Sequence, residues 1–250
     1  MKKSTSVRDA VKISAALVLS CAAVSGYEPS LINCVQPADQ MPSTIEATIE
    51  HRFSQALEDP IATNIFGIAS VDLEVAARVW KGLELSTAYF TDNNELDLTG
   101  RYSQPVVKDL LDVGAELQFF NFDTHIIGRA SNDYYLAAAS LHPFSDRLYL
   151  TAQLGYDGFY LYVAPSGSIL VKCTSMFDLI GEYTLGHDRI EGMTENAWSA
   201  GIKLNTWGHQ FKFIISNTTA IGSRNAAAGA NDNKIRLGFS IERLFRLKED

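Results

Sequence analysis

From residue 44 onward the chain alternates between apolar and polar side chains, and this period of two dictates strands. In "NNELDLTGRY" (93–102), Glu95, Asp97, Thr99 and Arg101 fall on one side and Leu96, Leu98, Gly100 and Tyr102 on the other. Ile45, Ala47, Ile49 and Phe53 oppose Glu46, Thr48, Glu50 and Arg52 in the same way. The pattern returns at 71–79, 112–119, 148–156 and 234–242. One face of each strand is apolar and the other carries charges of both signs. A soluble sandwich or barrel would turn the apolar face inward. A membrane barrel would turn it to lipid and keep the charges in the lumen.

Beyond residue 25 no apolar run approaches the roughly 20 residues that a membrane helix needs. A membrane-spanning form of this chain must therefore be a closed barrel, the only strand architecture that satisfies its backbone in lipid. Turn signals at Lys81-Gly82, Asp92-Asn93-Asn94, Pro143-Phe144-Ser145-Asp146, Asp157-Gly158, Pro165-Ser166-Gly167 and Trp207-Gly208 separate the runs. They divide the chain into about twelve strands, each near the spanning length. The fold expected is all-β, a single antiparallel up-and-down transmembrane barrel. The connections after the first, fifth, ninth and eleventh strands read as long (54–67, 123–132, 186–195 and 217–233), and so does the fourth; the third and seventh read as short. The phase held from Ile169 to Leu185 reads as one unusually long strand. Trp80, Phe144 and Trp207 would form one aromatic girdle, and Tyr89, Phe90, Phe122, Tyr134, Tyr135 and Tyr156 the other.

Residues 1–25 read as a secretory signal: Lys2, Lys3, Arg8 and Lys12, then "ISAALVLSCAAVSG". Ala23-Val24-Ser25 is a small-x-small cleavage site. Val18-Leu19-Ser20-Cys21 resembles a lipoprotein box, which would end the signal at residue 20 and make Cys21 the acylated residue. Residues 26–43 hold three prolines and no period, and read as a periplasmic lead-in; the barrel is expected over 44–250. A net charge of −8 argues against nucleic acid as a partner. Three cysteines are too few for a disulfide scaffold, and Cys34 and Cys173 are expected to be unpaired thiols.

Over residues 42–104 the chain resembles an uncharacterised family, a domain of unknown function, of Gram-negative outer-membrane β-barrels. The resemblance lies in "TIEATIEHRF" (44–53), "NIFGI" (64–68), "GLELSTAY" and "ELDLTGRY". It implies export, a barrel and residence in the outer membrane, and no activity. The closing "KIRLGFSIERLF" also resembles the C-terminal signal read by the barrel-assembly machinery, although "RLKED" follows Phe245.

His51, His125, His142, His187 and His209 show no metal-ligand spacing, and no glycine-rich loop opens a helix. No cofactor or metal is expected. "LHPFSDR" sets His142, Ser145 and Asp146 close together, but this is more simply a tight turn, and an enzyme is not expected. What remains is the inward charge set. Glu46, Glu50, Arg52, Asp72, Glu74, Arg78, Glu84, Glu95, Asp97, Arg101, Glu116, Asp178, Glu182, Lys203, Lys212, Lys234, Arg236 and Glu242 would share one lumen. Lys234 and Arg236 would face the acids of the first strand where the barrel closes. The functions that fit are a passive, porin-like channel for small polar solutes or a plugged structural barrel, with outer-membrane lipid and the assembly machinery as partners. Two alternatives stand beside them: a soluble, lipocalin-like periplasmic barrel with Leu96 and Leu98 lining an apolar cavity, and an outer-membrane lipid hydrolase.

Overall fold

The computed structural model describes residues 31–37, 43–58, 69–92, 94–121, 132–143, 147–186, 190–206 and 208–246. The expected signal and Cys21 lie outside the described residues, as do Ser145, Asp146, Phe122, Phe144 and Trp207. Twelve strands run β1 (Thr44–Ala56), β2 (Ala69–Trp80), β3 (Leu83–Phe90), β4 (Glu95–Val107), β5 (Leu111–Asn121), β6 (Asp133–Leu141), β7 (Leu148–Asp157), β8 (Tyr162–Lys172), β9 (Phe177–Thr184), β10 (Ala197–Thr206), β11 (His209–Ser216) and β12 (Arg236–Arg246). Each pairs antiparallel with its sequence neighbours, and β1 pairs with β12 to close the barrel. One short helix, α1 (Ser223–Ala227), sits between β11 and β12.

The barrel has a plain end and an elaborated end. Thr44 and Arg246 meet at the plain end. The even-to-odd turns lie there too: 81–82, 108–110, 142–147, 173–176 and 207–208. The opposite end carries the longer connections, among them 57–68, 122–132, 185–196 and 217–235. Short turns at the end where β1 begins and β12 ends, with long loops opposite, is the arrangement of outer-membrane barrels.

The two faces of "ELDLTGRY" are now assigned. Glu95 and Asp97 are each 1% exposed, whereas Leu96 and Leu98 are 48% and 56% exposed. Val75, Leu85, Leu154, Ile169, Leu179, Ile202 and Phe213 likewise face outward. A continuous apolar exterior around a charged interior is stable in lipid and not in water. The lipocalin-like alternative, which needs Leu96 and Leu98 inside, is overturned. Exposed Trp80, Tyr102, Phe177 and Phe245 ring the plain end, and Tyr89, Tyr135, Tyr156 and Tyr183 ring the other. Phe90 and Tyr134 do not join that second girdle. Phe90 lines the lumen, and Tyr134, only 1% exposed, is buried inside it.

The supposed single strand at 168–185 is β8 and β9 joined by a tight turn at 173–176. Cys173 N–H and Thr174 N–H both donate to Phe177 C=O, and Thr174 Oγ1 accepts from Met176 and Phe177 N–H. A four-residue connection preserves parity, so odd-numbered residues stay outside on both strands and the alternation runs through the turn unbroken. The fourth connection is short as well. β4 extends through Pro105, which stands opposite Asp112, and its register shifts only between Pro105 and Val107.

Inside the upper barrel, Val35, Phe120, Tyr134, Leu136, Ala138 and Phe159 form an apolar cluster. Tyr134 packs against Gly155, where an added Cβ would run into the Tyr134 hydroxyl and ring. Replacing Gly155 by Ala should lift the ring and cost about 1–3 kcal/mol of packing. The expected result is a lower temperature for conversion from the fast to the slow electrophoretic form. Gly100→Ala, which meets only Leu85 Cδ2 at 3.7 Å, should leave that temperature unchanged.

Candidate functional site in the charged lumen

The polar side of each strand delivers charges in register, and across β1 to β5 they join into a ladder. Arg78 on β2 bridges Glu46 on β1 (Nη2 to Oε2, 3.0 Å) and Glu84 on β3 (Nε to Oε2, 3.2 Å). Arg101 on β4 bridges Glu84 (Nη1 to Oε1, 2.8 Å) and Glu116 on β5 (Nη2 to Oε2, 2.8 Å). Two guanidinium forks thus tie three carboxylates along five neighbouring strands, the geometry for which arginine is better suited than lysine. On the far wall Lys203 Nζ lies 3.0 Å from Asp178 Oδ2, and Lys212 pairs with Glu242. Arg52 pairs with Glu50 on the same strand.

Residues 31–37 occupy the lumen rather than leading up to the barrel from outside. The backbone N–H groups of Ile32, Asn33 and Cys34 all point at the Glu182 carboxylate, at 2.6, 2.7 and 3.2 Å. Successive N–H groups wrapped on one anion form a nest. Val35 N–H donates to Gln153 Oε1 at 2.9 Å, Gln36 donates to Ser140, and Lys212 donates to the Leu31 carbonyl. Leu31, Ile32 and Cys34 pack on Tyr149, Leu170, Ile180 and Ile214. The segment is a strap held along the wall from β6 to β11. The reading of 26–43 as a periplasmic lead-in is corrected for these residues: "LINCV" is apolar because it is buried, and its backbone is satisfied by lumen side chains.

A lid closes the elaborated end. The connection 217–235, whose residues 217–233 read in sequence as a long loop, turns inward, and α1 brings Arg224 to the mouth. Its guanidinium pairs with Glu95, lies 3.8 Å from Asp157 Oδ2 and stands 3.9 Å from the Phe120 ring centroid. Ala227 packs on Tyr162 and Ala164. Glu195 and Ala230 exchange backbone hydrogen bonds, tying the lid to the connection before β10.

Between strap, lid and the β1–β5 wall a cavity of about 180 Å³ remains. Its lining carries eight carboxylates (Glu46, Glu50, Asp72, Glu74, Glu84, Asp97, Glu116 and Glu242) against four cations (Arg78, Arg101, Lys212 and Arg224). The cavity is therefore an acid-rich remnant of a lumen.

Of the charges expected to share the lumen, Glu46, Glu50, Arg52, Asp72, Glu74, Arg78, Glu95, Asp97, Arg101, Glu116, Glu182, Lys203, Lys212 and Glu242 lie inside, though Glu182 and Lys203 stand across from the cavity, on the β9 and β10 wall. Lys234 and Arg236 do not meet the acids of β1. Lys234 is exposed in the connection. Arg236 begins β12 at the rim, opposite Ala56, and binds Asp232 through both oxygens at 2.8 and 3.0 Å. That contact holds the Asp232 carboxyl below the usual carboxylate range. At the closing seam the base that pairs with the β12 acid Glu242 is Lys212. His142 Nε2 lies 3.2 Å from Asp112 Oδ2 and its ring packs at a tilt of 59° against Tyr149, a structural setting beside a turn. Cys34 and Cys173 are both free, one buried in the strap and one exposed at a turn. Sequence reasoning missed Arg224 and the strap. The available signals were a lone arginine among alanines that a helix would bury, and an apolar stretch amid prolines.

A family profile described as "Membrane bound beta barrel domain (DUF5777)" matches residues 162–245, downstream of the 42–104 stretch that carried the resemblance. No curated protein matches the chain. Among solved structures, the KdgM porin aligns at 11% identity and a TM-score of 0.53, covering 81% of this chain and 99% of that one. A KdgM porin in complex with disordered oligogalacturonate aligns at 8% identity and 0.55, with coverage of 81% and 99%. Acinetobacter baumannii outer membrane protein Omp33 aligns at 9% and 0.50, with 81% and 98%. The chain thus has the fold of these porins, and over β8 to β12 it is similar to a membrane-bound β-barrel domain whose activity is uncharacterised.

Proposed function

We propose that this protein is an outer-membrane, porin-like barrel of Gram-negative type, which admits small polar solutes through a lumen narrowed by its own strap and lid. The observation that carries the reading is the charged interior inside an apolar exterior wall. Outer-membrane lipid is the environment for that wall, and the barrel-assembly machinery is the partner that would insert it. The barrel acts by passage rather than catalysis: most of its lumen charges are spent on one another and on the strap. The acid excess of the cavity favours neutral or positively charged solutes over an acidic one such as the oligogalacturonate named with the KdgM porin.

Planar-bilayer recording on refolded protein tests this. Small, infrequent conductance steps are expected, with a reversal potential displaced toward the cation in a KCl gradient. Silence from protein shown to be folded by its fast unboiled mobility would remove the channel reading and leave a closed structural barrel.

A further inference from the structure

Among the described residues, the ion pairs of the lumen leave three of the cavity acids over, Asp72, Glu74 and Asp97. Asp72 is 5% exposed, makes no ion pair among the described residues, and its Oδ1 accepts no hydrogen bond. It lines the cavity. Its cross-strand neighbours are Glu50 on β1 and Phe90 on β3, and Glu74 follows two residues along the same face. Asp97 on β4 also lines the cavity, with its own Oδ1 unpartnered. Glu50 already has Arg52, and Glu74 is hydrogen-bonded by Ser86. The Leu73 N–H reaches the Asp72 carboxylate, but Oδ1 stays unsatisfied and no cation faces the group; a buried carboxylate so placed is costly, and a cation in the cavity would relieve that cost.

We infer that the cavity binds a small organic cation carrying a protonated amine, with Asp72 as its anchor and Phe90 as its aromatic floor. Two observations set the class. Among the described residues no three His, Cys, Asp or Glu side chains converge as a metal cage would require. An ammonium needs fewer acceptors at longer reach. The Phe90 ring, which lines the same cavity across the β2–β3 ladder, supplies the π-face that alkylammonium groups favour and a hydrated metal ion does not. The lid lies over this end, with Gly222 against Phe90, so a bound amine would be covered by the chain itself. The inference goes beyond passage of solutes: it needs the closed barrel and not conduction.

The test is equilibrium dialysis of the refolded full chain in detergent against radiolabelled 1,4-diaminobutane. Saturable binding of one diamine per barrel is expected. Asp72→Asn should weaken it by about tenfold or more, the loss of one charge-assisted contact. Phe90→Leu should weaken it while Glu191→Gln, in an exposed connection, should not. Absence of saturable binding to folded wild-type protein overturns the inference. So does displacement by KCl, at matched ionic strength, as complete as by unlabelled diamine, since that would mark a general cation atmosphere. If Asp72→Asn fails to give the fast unboiled form, Phe90→Leu decides, and unchanged binding to it overturns the site. A silent bilayer with intact diamine binding would leave this inference standing while the channel reading falls.

Discussion

Replacing Glu182 by Ala should release the strap. Three backbone N–H groups of residues 32–34 end on this one carboxylate, and each hydrogen bond to a charged acceptor contributes about 1.5–3 kcal/mol. The three share one anion and do not add fully, so a loss of about 3–6 kcal/mol is expected. That corresponds to roughly 10²–10⁴ in the equilibrium between docked and undocked strap. Cys34 is the reporter. It is 7% exposed while the strap is docked, so a maleimide should reach it slowly in wild-type protein and rapidly in the variant. Mass spectrometry of the adducts separates Cys34 from the exposed Cys173. Glu182→Gln keeps the size and one acceptor oxygen, and should fall between the two. Larger bilayer conductance should accompany the faster labelling. An unchanged labelling rate would mean that the apolar contacts of Leu31 and Ile32 hold the strap without the carboxylate.

The second large effect is expected at the other end of the barrel. Arg224→Ala removes the cation that the lid inserts between Glu95 and Asp157, and it strips the guanidinium from the Phe120 ring. Deleting one partner of a buried pair costs about 3–5 kcal/mol, because the other charge is left uncompensated. The barrel wall does not depend on this contact, so the cost should appear as lid opening rather than unfolding. In proteoliposomes with the elaborated end outward, added protease should cut within 217–233 in Arg224→Ala and spare the wild type. Heat-dependent mobility should be kept. If instead the mobility shift is lost, the lid is part of the folding core rather than a cover. Strap and lid are separate closures, so the double variant should conduct more than either alone.

The alternation of the chain made the barrel, its strand number and the two faces legible, because a period of two is a local property of each strand. What stayed hidden was whatever depends on where the chain goes between strands. The turn at 173–176 escaped notice because its four residues keep the parity of Val171 and Phe177. Pro105 hid the end of β4, since proline is rare in strands yet tolerated here near a register shift. Lys234 and Arg236 carry the expected alternation, but their height along the barrel is set by the β1–β12 register, and they lie at the rim. The strap and lid were illegible for a deeper reason. Their inward course is dictated by lumen partners far away in sequence, Glu182 for the strap and Glu95 for the lid, and neither leaves a periodic trace.

The ladder from Glu46 to Glu116 carries a consequence for how such a barrel is assembled. Alternation by itself is indifferent to a slip of two residues, which returns every side chain to its proper face. The guanidinium bridges are not indifferent. Moving β2 by two positions against β3 would separate Arg78 from Glu84, and moving β4 against β3 would separate Arg101 from Glu84. Each misaligned hairpin would leave buried lumen charges without their partners, a costly state. The apolar pattern thus decides the parity of pairing, and the arginines select among the registers that parity leaves equivalent. They act as an alignment code, read hairpin by hairpin as the sheet curls toward closure.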